Sequence, residues 1–351
     1  MNLVLFIDMD AFYASCEILR NKELINKPFI VGTADNEHKL KGVIESCSYS
    51  ARKLGIHSGA SVAGALKKVP NIMYIPADHN YYEKISKKIF EVITSFGLKM
   101  EIISVDEAAV ELVNMSYNEA INLAKMMKDK IFNEVGLPST VGIANGVIFA
   151  KMVCDSAKPN GLKVVKDNEI LNFLNIKQVT SIPGVGKKTK EKLNSMGIET
   201  INQLAKVDIS RLKNKLGIFG EELHNLANGI DKSTIRDKIE IQSISRERTL
   251  ENETTDINNI YKMINILSNE IIDELYRQNL YYKTITVKVR YNDFTEKIKS
   301  KSFAFYTQSK KDLIINSQFS ILKLLNKKKI RKVGLRISSF IKSRGQQKLI
   351  S

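Results

Sequence analysis

Leu3-Val4-Leu5-Phe6-Ile7-Asp8-Met9-Asp10 and Glu101-Ile102-Ile103-Ser104-Val105-Asp106-Glu107-Ala108-Ala109-Val110 decide how this chain is read. Each stretch sets acids at the end of, or inside, an apolar β-prone run that reads as a buried strand. Carboxylates so placed cost free energy unless positive charge compensates them. A pair of Mg²⁺ ions would do so, and two carboxylate-held metals are the apparatus of phosphoryl and nucleotidyl transfer. Taken singly, each stretch has an ordinary explanation. Asp8 can be a strand-end or helix-capping acid, and Asp106-Glu107 the solvated bend of a hairpin.

At 351 residues, 43% hydrophobic and 26% charged, the chain is expected to be soluble and to form two to four domains. Its 54 Lys and Arg against 38 Asp and Glu give a net charge of +16. That surplus favours a polyanionic partner, nucleic acid first. From Ile241 onward there are 22 basic and 10 acidic residues, so the C-terminal third carries most of it. No run approaches a membrane-spanning helix. The first apolar run ends in two Asp, so no signal peptide is expected and a cytoplasmic setting is. Cys16, Cys47 and Cys154 are widely spaced with no CxxC pair, which argues for buried thiols over disulfides or zinc.

The pattern predicts a buried strand over 3–7, a helix over 11–19, and a strand over 28–32. A helix follows at 49–55 with Gly55 at its C-terminal cap. Residues 79–97 form an amphipathic helix, 101–113 a hairpin, 117–134 a helix and 139–144 a strand. Residues 167–230 turn helical around the breaker Ile182-Pro183-Gly184-Val185-Gly186, and the polar run 231–238 resembles a linker. Strands over 242–250, 283–291, 299–307 and 332–340 then alternate with helices near 256–278 and 310–327. That order, β-α-β-β-α-β, is ferredoxin-like.

Four segments, in this order, resemble the motifs of the Y-family translesion DNA polymerases, in the DNA polymerase IV branch. They are Phe6-Ile7-Asp8-Met9-Asp10-Ala11-Phe12-Tyr13-Ala14, Ser48-Tyr49-Ser50-Ala51-Arg52-Lys53-Leu54-Gly55, Ser104-Val105-Asp106-Glu107-Ala108 and Ala157-Lys158-Pro159-Asn160-Gly161. Four ordered motifs are far more specific than one, and the resemblance covers nearly the whole chain. It implies an α+β right-hand polymerase with palm 1–10 and 78–166, fingers 11–77 and a helix-hairpin-helix thumb 167–232. A linker 233–243, a ferredoxin-like little finger 244–342 and a tail 343–351 complete it. It further implies a monomer that adds deoxynucleoside triphosphates to a primer 3′-hydroxyl on primer-template DNA, without proofreading, and bypasses lesions at low fidelity.

By the same resemblance Asp8, Asp106 and Glu107 are the catalytic carboxylates and hold two Mg²⁺, with the Met9 carbonyl oxygen as a further ligand. Tyr13 is the steric gate, its ring filling the space a ribose 2′-OH would need, with Phe12 beside it. Tyr49, Arg52 and Lys158 bind the triphosphate; a guanidinium matches phosphate geometry. Asp10 is expected to support local structure. Standing alone, each cation would be read as a solvated surface charge and Tyr13 as core packing.

Residues 182–193 form a helix-hairpin-helix signature in which Gly184 and Gly186 let the backbone approach a phosphate, with Lys187 alongside. A plain helix–helix turn is the alternative. Arg246, Arg248, Arg331, Lys332 and Arg336 are expected to line strands that face template and primer backbone, as are Lys288/Arg290 and Lys297/Lys299/Lys301. A sliding clamp is a candidate partner through Gln346 and Leu349, although the aromatic pair that usually anchors such a peptide is missing. An unstructured terminus reads equally well.

The sequence departs from the family pattern at three places. Asn145-Gly146-Val147 stands where an Asn-Lys pair is usual, which puts support of the triphosphate or metals in question. Ala109 replaces a common aromatic and is expected to loosen packing. Glu45 sits in the segment expected to roof the nascent base pair, where small residues are usual, and is expected to restrict bulky lesions. The departures at Asn145 and Ala109 motivate one rival reading, a catalytically idle DNA-binding factor on the same scaffold; a second is a palm-type nucleotide cyclase, since the same carboxylates could activate a ribose hydroxyl. The gate tyrosine and the two DNA-binding segments weigh against the second.

Overall fold

The first strand, β1 (Leu3–Met9), is buried along its whole length. In this computed structural model, which describes residues 3–33, 40, 42–236 and 240–342, it is the middle of five strands. A short left-handed turn at Ala11 leads into α1 (Phe12–Arg20). Next comes a small lobe: β2 (Phe29–Gly32), β3 (Ile44–Cys47), α2 (Tyr49–Lys53), α3 (Val62–Lys68) and β4 (Met73–Pro76). Its three-stranded sheet, in the order β3-β2-β4, has its own core around Ile30, Ile44, Ala51 and Val62.

The chain then returns through α4 (His79–Thr94), β5 (Met100–Ile102), β6 (Glu107–Glu111), α5 (Tyr117–Val135), β7 (Ser139–Asn145), α6 (Val147–Ala157) and β8 (Leu162–Val164). The sheet order is β5-β6-β1-β7-β8, with β1 antiparallel to both neighbours. Side chains of β1 alternate between two covered faces. Leu5, Ile7 and Met9 share a core with α4 and α5, while Val4 and Phe6 share one with α6. Burial on both faces is why the strand reads as one unbroken apolar run. By the same period of two, Asp8 emerges on the α6 side.

Five short helices follow: α7 (Ile170–Asn175), α8 (Lys187–Asn194), α9 (Ile201–Ala205), α10 (Ile209–Leu216) and α11 (Ile218–Ala227). Their core residues, including Phe173, Leu193, Leu212 and Leu223, belong to the cluster built on α6. Residues 231–236 have no regular structure, as expected of a linker, yet they are fastened. Asp231 accepts from the Ile148 and Phe149 amides (2.8 and 3.2 Å), and the Ser233 hydroxyl accepts from the Val147 amide (3.0 Å). Together they cap the start of α6. Ile235 is buried, and the Arg236 amide and guanidinium donate to buried Glu101 (2.9 and 2.8 Å).

The contacts divide the chain at this point, into Met1–Lys238 and Ile239–Ser351. The second unit runs β9 (Ser243–Thr254), α12 (Ile257–Arg277), β10 (Leu280–Tyr291), β11 (Glu296–Thr307), α13 (Lys310–Leu322) and β12 (Ile330–Lys342). The order of elements is the ferredoxin-like one expected. The sheet is antiparallel in the order β11-β10-β12-β9, so the domain's first and third strands are its edges, a detail that element order alone does not decide. Both helices pack on one face over Ile285, Val287, Leu335 and Ile337. The other face is open. All three cysteines are buried and free. No described helix is long and apolar enough to cross a membrane. The clamp candidates Gln346 and Leu349 lie outside the described residues.

Candidate active site

Strand register brings the acids together. Asp8 on β1 lies directly opposite Glu107 on β6. The Met9 amide donates to the Asp106 carbonyl oxygen at 3.0 Å, fixing the bend of the hairpin against the end of β1. Like charges facing across a ladder are destabilising, so this pairing marks a site rather than a packing solution. Two cations answer it from α6 and its end. Lys158 Nζ is 2.6 Å from Asp8 Oδ2, and Lys151 is paired with Glu107. The two lysines are seven residues apart, two helical turns, and so share one face. Asp106 is held by the Ser104 hydroxyl, which donates to its Oδ1 at 2.7 Å.

Burial dominates the electrostatics. It raises the pKa of Asp8 well above the carboxylate range, and a hydrogen bond shared with Glu107 adds to the rise. It also raises that of Asp106. At Glu107 burial acts upward too, but the Asp8 hydrogen bond and the Lys151 ammonium bring the net shift below the usual value. Burial opposes the charge on Lys158, and the Asp8 carboxylate more than offsets it.

Asp8, Asp106, Glu107 and Lys158 line one cavity of about 350 Å³ together with Tyr13 and Arg52. Tyr13 is stacked on Tyr82 (centroids 4.3 Å apart, planes at 17°). Phe12 is buried, 5.5 Å from Tyr13. The Tyr49 hydroxyl donates to Asp10 Oδ1 at 3.2 Å, and Arg52 lies over the Tyr49 ring at 4.7 Å. Asp10 is 1% exposed and also accepts from Thr140 Oγ1 (2.8 Å) and the Asn160 amide (2.7 Å). It thereby ties α2, β7 and the loop after Lys158 to the strand that carries Asp8.

All nine residues assigned to the metal and nucleotide sites therefore converge on this end of β1. Among the described residues no three His, Cys, Asp or Glu side chains form a ready-made metal cage. The donor set still fits a hard divalent cation, because its crowded carboxylate oxygens draw in two ammonium groups to balance their charge.

The departures have structural reasons. Gly146 has φ +103°, and a Cβ there would collide with Asp231, the cap of α6; Val147 after it is buried. Lys151, one turn on, is the cation that reaches Glu107. Sequence reasoning missed it; its spacing to Lys158 was the available signal. Ala109 is fully buried in the core shared with α6.

Gly184 has φ +88° in the turn before α8, and Gly186 precedes Lys187 with no side-chain cap on the helix start. In the second unit the expected cations do not share a face. Lys332 and Arg336 stand on the open face with Lys288 and Arg290, where Lys332 and Lys288 pair with Glu247 (2.9 and 3.2 Å). Arg246 and Arg248 alternate with Glu247 on β9, so they point to the helix side and pair with Glu270 of α12. Arg331 pairs with Glu253 at 3.0 Å. Lys301 also turns to the helices, donating to Asn316 at 2.7 Å.

Comparison with known proteins agrees with this architecture. Residues 7–155 match the impB/mucB/samB family, 241–349 its C-terminal domain, and 180–231 the thumb domain of DNA polymerase-iota. The chain is 35% identical to DNA polymerase IV of Methanoculleus marisnigri over 337 residues, 96% of this chain and 94% of that protein. It is 32% identical to DNA polymerase IV of Sulfurisphaera tokodaii over 350 residues, 98% of each. Among solved structures, the Y-family polymerase chimera Dbh-Dpo4(243-245)-Dbh superposes with TM-score 0.87 at 27% identity, covering 97% of this chain and all of that one. An insertion ternary complex of Dbh DNA polymerase gives 0.69 at the same identity and coverage. With its fold, its paired carboxylates and these relatives in agreement, the chain belongs to the Y family of DNA polymerases, in the DNA polymerase IV branch.

Proposed function

We propose that this DNA-directed DNA polymerase extends a primer by two-metal nucleotidyl transfer at the Asp8–Asp106–Glu107 cluster and serves lesion bypass. The observation that carries the proposal is the register pairing of Asp8 with Glu107 inside a cavity walled by Lys158, Arg52 and Tyr13. Asp8, Asp106, Glu107 and the Met9 carbonyl would hold two Mg²⁺, which when bound lower the pKa of the primer hydroxyl and steady the triphosphate. Arg52, Tyr49 and Lys158 bind the phosphates, and Asp10 keeps the last two in place. The primer 3′-oxygen attacks the α-phosphorus, the α–β anhydride bond breaks, pyrophosphate leaves, and the hydroxyl proton passes to water. Lys158, paired with Asp8 in this structure, would exchange that partner for phosphate as nucleotide binds. Against the idle-factor reading stands the convergence of the three carboxylates with Lys151 and Lys158.

In this reading, residues 1–10 with 78–166 are the palm, 11–77 the fingers, 167–232 the thumb and 244–342 the little finger, joined by the 233–243 linker. The Gly184-Val185-Gly186-Lys187 turn and the open sheet face with Lys332 and Arg336 contact the DNA backbone. Gln346 and Leu349 in the 343–351 tail remain the place for a clamp contact. The protein acts as a cytoplasmic monomer.

Primer extension with Mg²⁺ and four deoxynucleotides, on undamaged and abasic templates, tests the proposal. Extension on both is expected. Tight DNA binding without extension would return the chain to the idle factor, and a stop at the abasic site would remove the bypass role. The gate has its own test. Tyr13→Ala should raise ribonucleotide incorporation relative to deoxynucleotide by about 10²-fold, on the scale of one lost steric or polar discrimination. Unchanged sugar preference would sink the assignment.

A further inference from the structure

We propose that Glu45 and His79 form a clasp that holds the ring of Tyr13 and so sets how strictly the cavity rejects ribonucleotides. The inference rests on the reading of Tyr13 as the sugar gate. Glu45 comes from β3 in the three-stranded lobe, and His79 is the first residue of α4, which packs on the five-stranded sheet. Their side chains meet beside the cavity, with His79 Nε2 2.8 Å from Glu45 Oε2. The imidazole is also edge-on to Tyr13, centroids 5.9 Å apart at 75°. Tyr13 is thus held by stacking on Tyr82 and, from a second direction, by a histidine that a carboxylate pins.

The pinning is needed because the His79 side chain is 60% exposed. An exposed side chain of this kind samples several rotamers unless a partner selects one. Glu45 supplies that partner. The contact serves Glu45 as well. Its carboxylate lines the cavity that must admit a triphosphate, and the imidazole N–H engages one of its oxygens. A ribose 2′-OH can enter only if the Tyr13 ring yields, and a ring braced on two sides yields less. Glu45 and His79 are therefore positioning residues, acting through Tyr13.

Single-nucleotide incorporation by wild type, Glu45→Ala, His79→Ala, the double variant and His79→Gln tests this. The readout is the ratio of kcat/KM for deoxynucleotide to that for ribonucleotide. Each alanine variant should lower the ratio about fivefold, the scale of a partly exposed pair. The double variant should go no lower, and His79→Gln, whose amide can still donate to Glu45, should recover most of it. An unchanged ratio, or losses that add in the double variant, would overturn the clasp. A second readout needs no turnover. With 3-fluorotyrosine incorporated, the Tyr13 resonance, assigned by its loss in Tyr13→Phe, should shift or broaden in both alanine variants. An unchanged resonance overturns the clasp even if the protein never extends a primer. Failure of extension with a shifted resonance overturns only the polymerase reading.

Discussion

Asp106→Ala should abolish primer extension, lowering kcat by at least about 10³-fold. The acid sits at the hairpin bend, with its backbone carbonyl accepting from the Met9 amide and its side chain from Ser104. Only the side chain is lost in the variant, so the bend keeps its backbone bond and the fold survives. On the proposed mechanism, what goes is one of the three carboxylates that gather positive charge where the primer is extended. Metal-ion stabilisation of the developing charge is worth several kcal/mol, and each 1.4 kcal/mol is about tenfold in rate. DNA affinity should change little. Extension within about tenfold of wild type would remove Asp106 from the catalytic set and leave Asp8 and Glu107 to account for the chemistry.

Gly142→Ala is expected to be strongly damaging to the first unit. A Cβ at 142 would lie within 3.0 Å of the Ala150 carbonyl oxygen and the Cys154 backbone, a separation that real Cβ atoms do not show. The obstacle is backbone, so no side chain can swing aside, and β7 must part from α6. Overpacking of this kind costs about 3 kcal/mol, a fall in Tm of about 6–12 °C for a unit of this size. Activity should fall with it, because α6 carries Lys151 and leads to Lys158. Gly186→Ala is the control. Its Cβ would meet nothing within 4 Å, and its melting temperature should stay within about 1 °C of wild type, the cost of an altered helix cap. A Gly142→Ala melt no lower than the control would mean that the two elements are less tightly joined than they look.

Most of the fold was legible because its signals are local. The period of two along β9 to β12, the glycine before α8 and the amphipathic run of α4 each depend on neighbours in sequence. The acids that meet at the end of β1 were legible for a different reason: an acid inside an apolar strand contradicts its surroundings. What escaped depends on which distant elements meet. Lys151 reads as one lysine on an apolar helix until β6 is beside it. Glu101 and Arg236, 135 residues apart, give no sign of each other. Arg246 and Arg248 were placed with Lys332 by charge alone. Only the register of β9 on β12 shows that they point to opposite sides.

The lobe of short helices is moored at both ends. It departs after β8, and the chain comes back where Asp231 and Ser233 seal the head of α6 and Arg236 grips Glu101. It is a bucket handle rather than a flap on one hinge. Between its two feet, core residues pack in the cluster built on α6, so it cannot peel away without unseating the head of that helix. That helix is a stiff rod about three turns long, with Lys158 at its far end. A load that tilted the lobe would bear on the head of this rod, whose other end leads to the ammonium group beside Asp8. If duplex binds the helical lobe as proposed, a pull on it would reach the Asp8 cluster as tension, with no side chain needing to touch both.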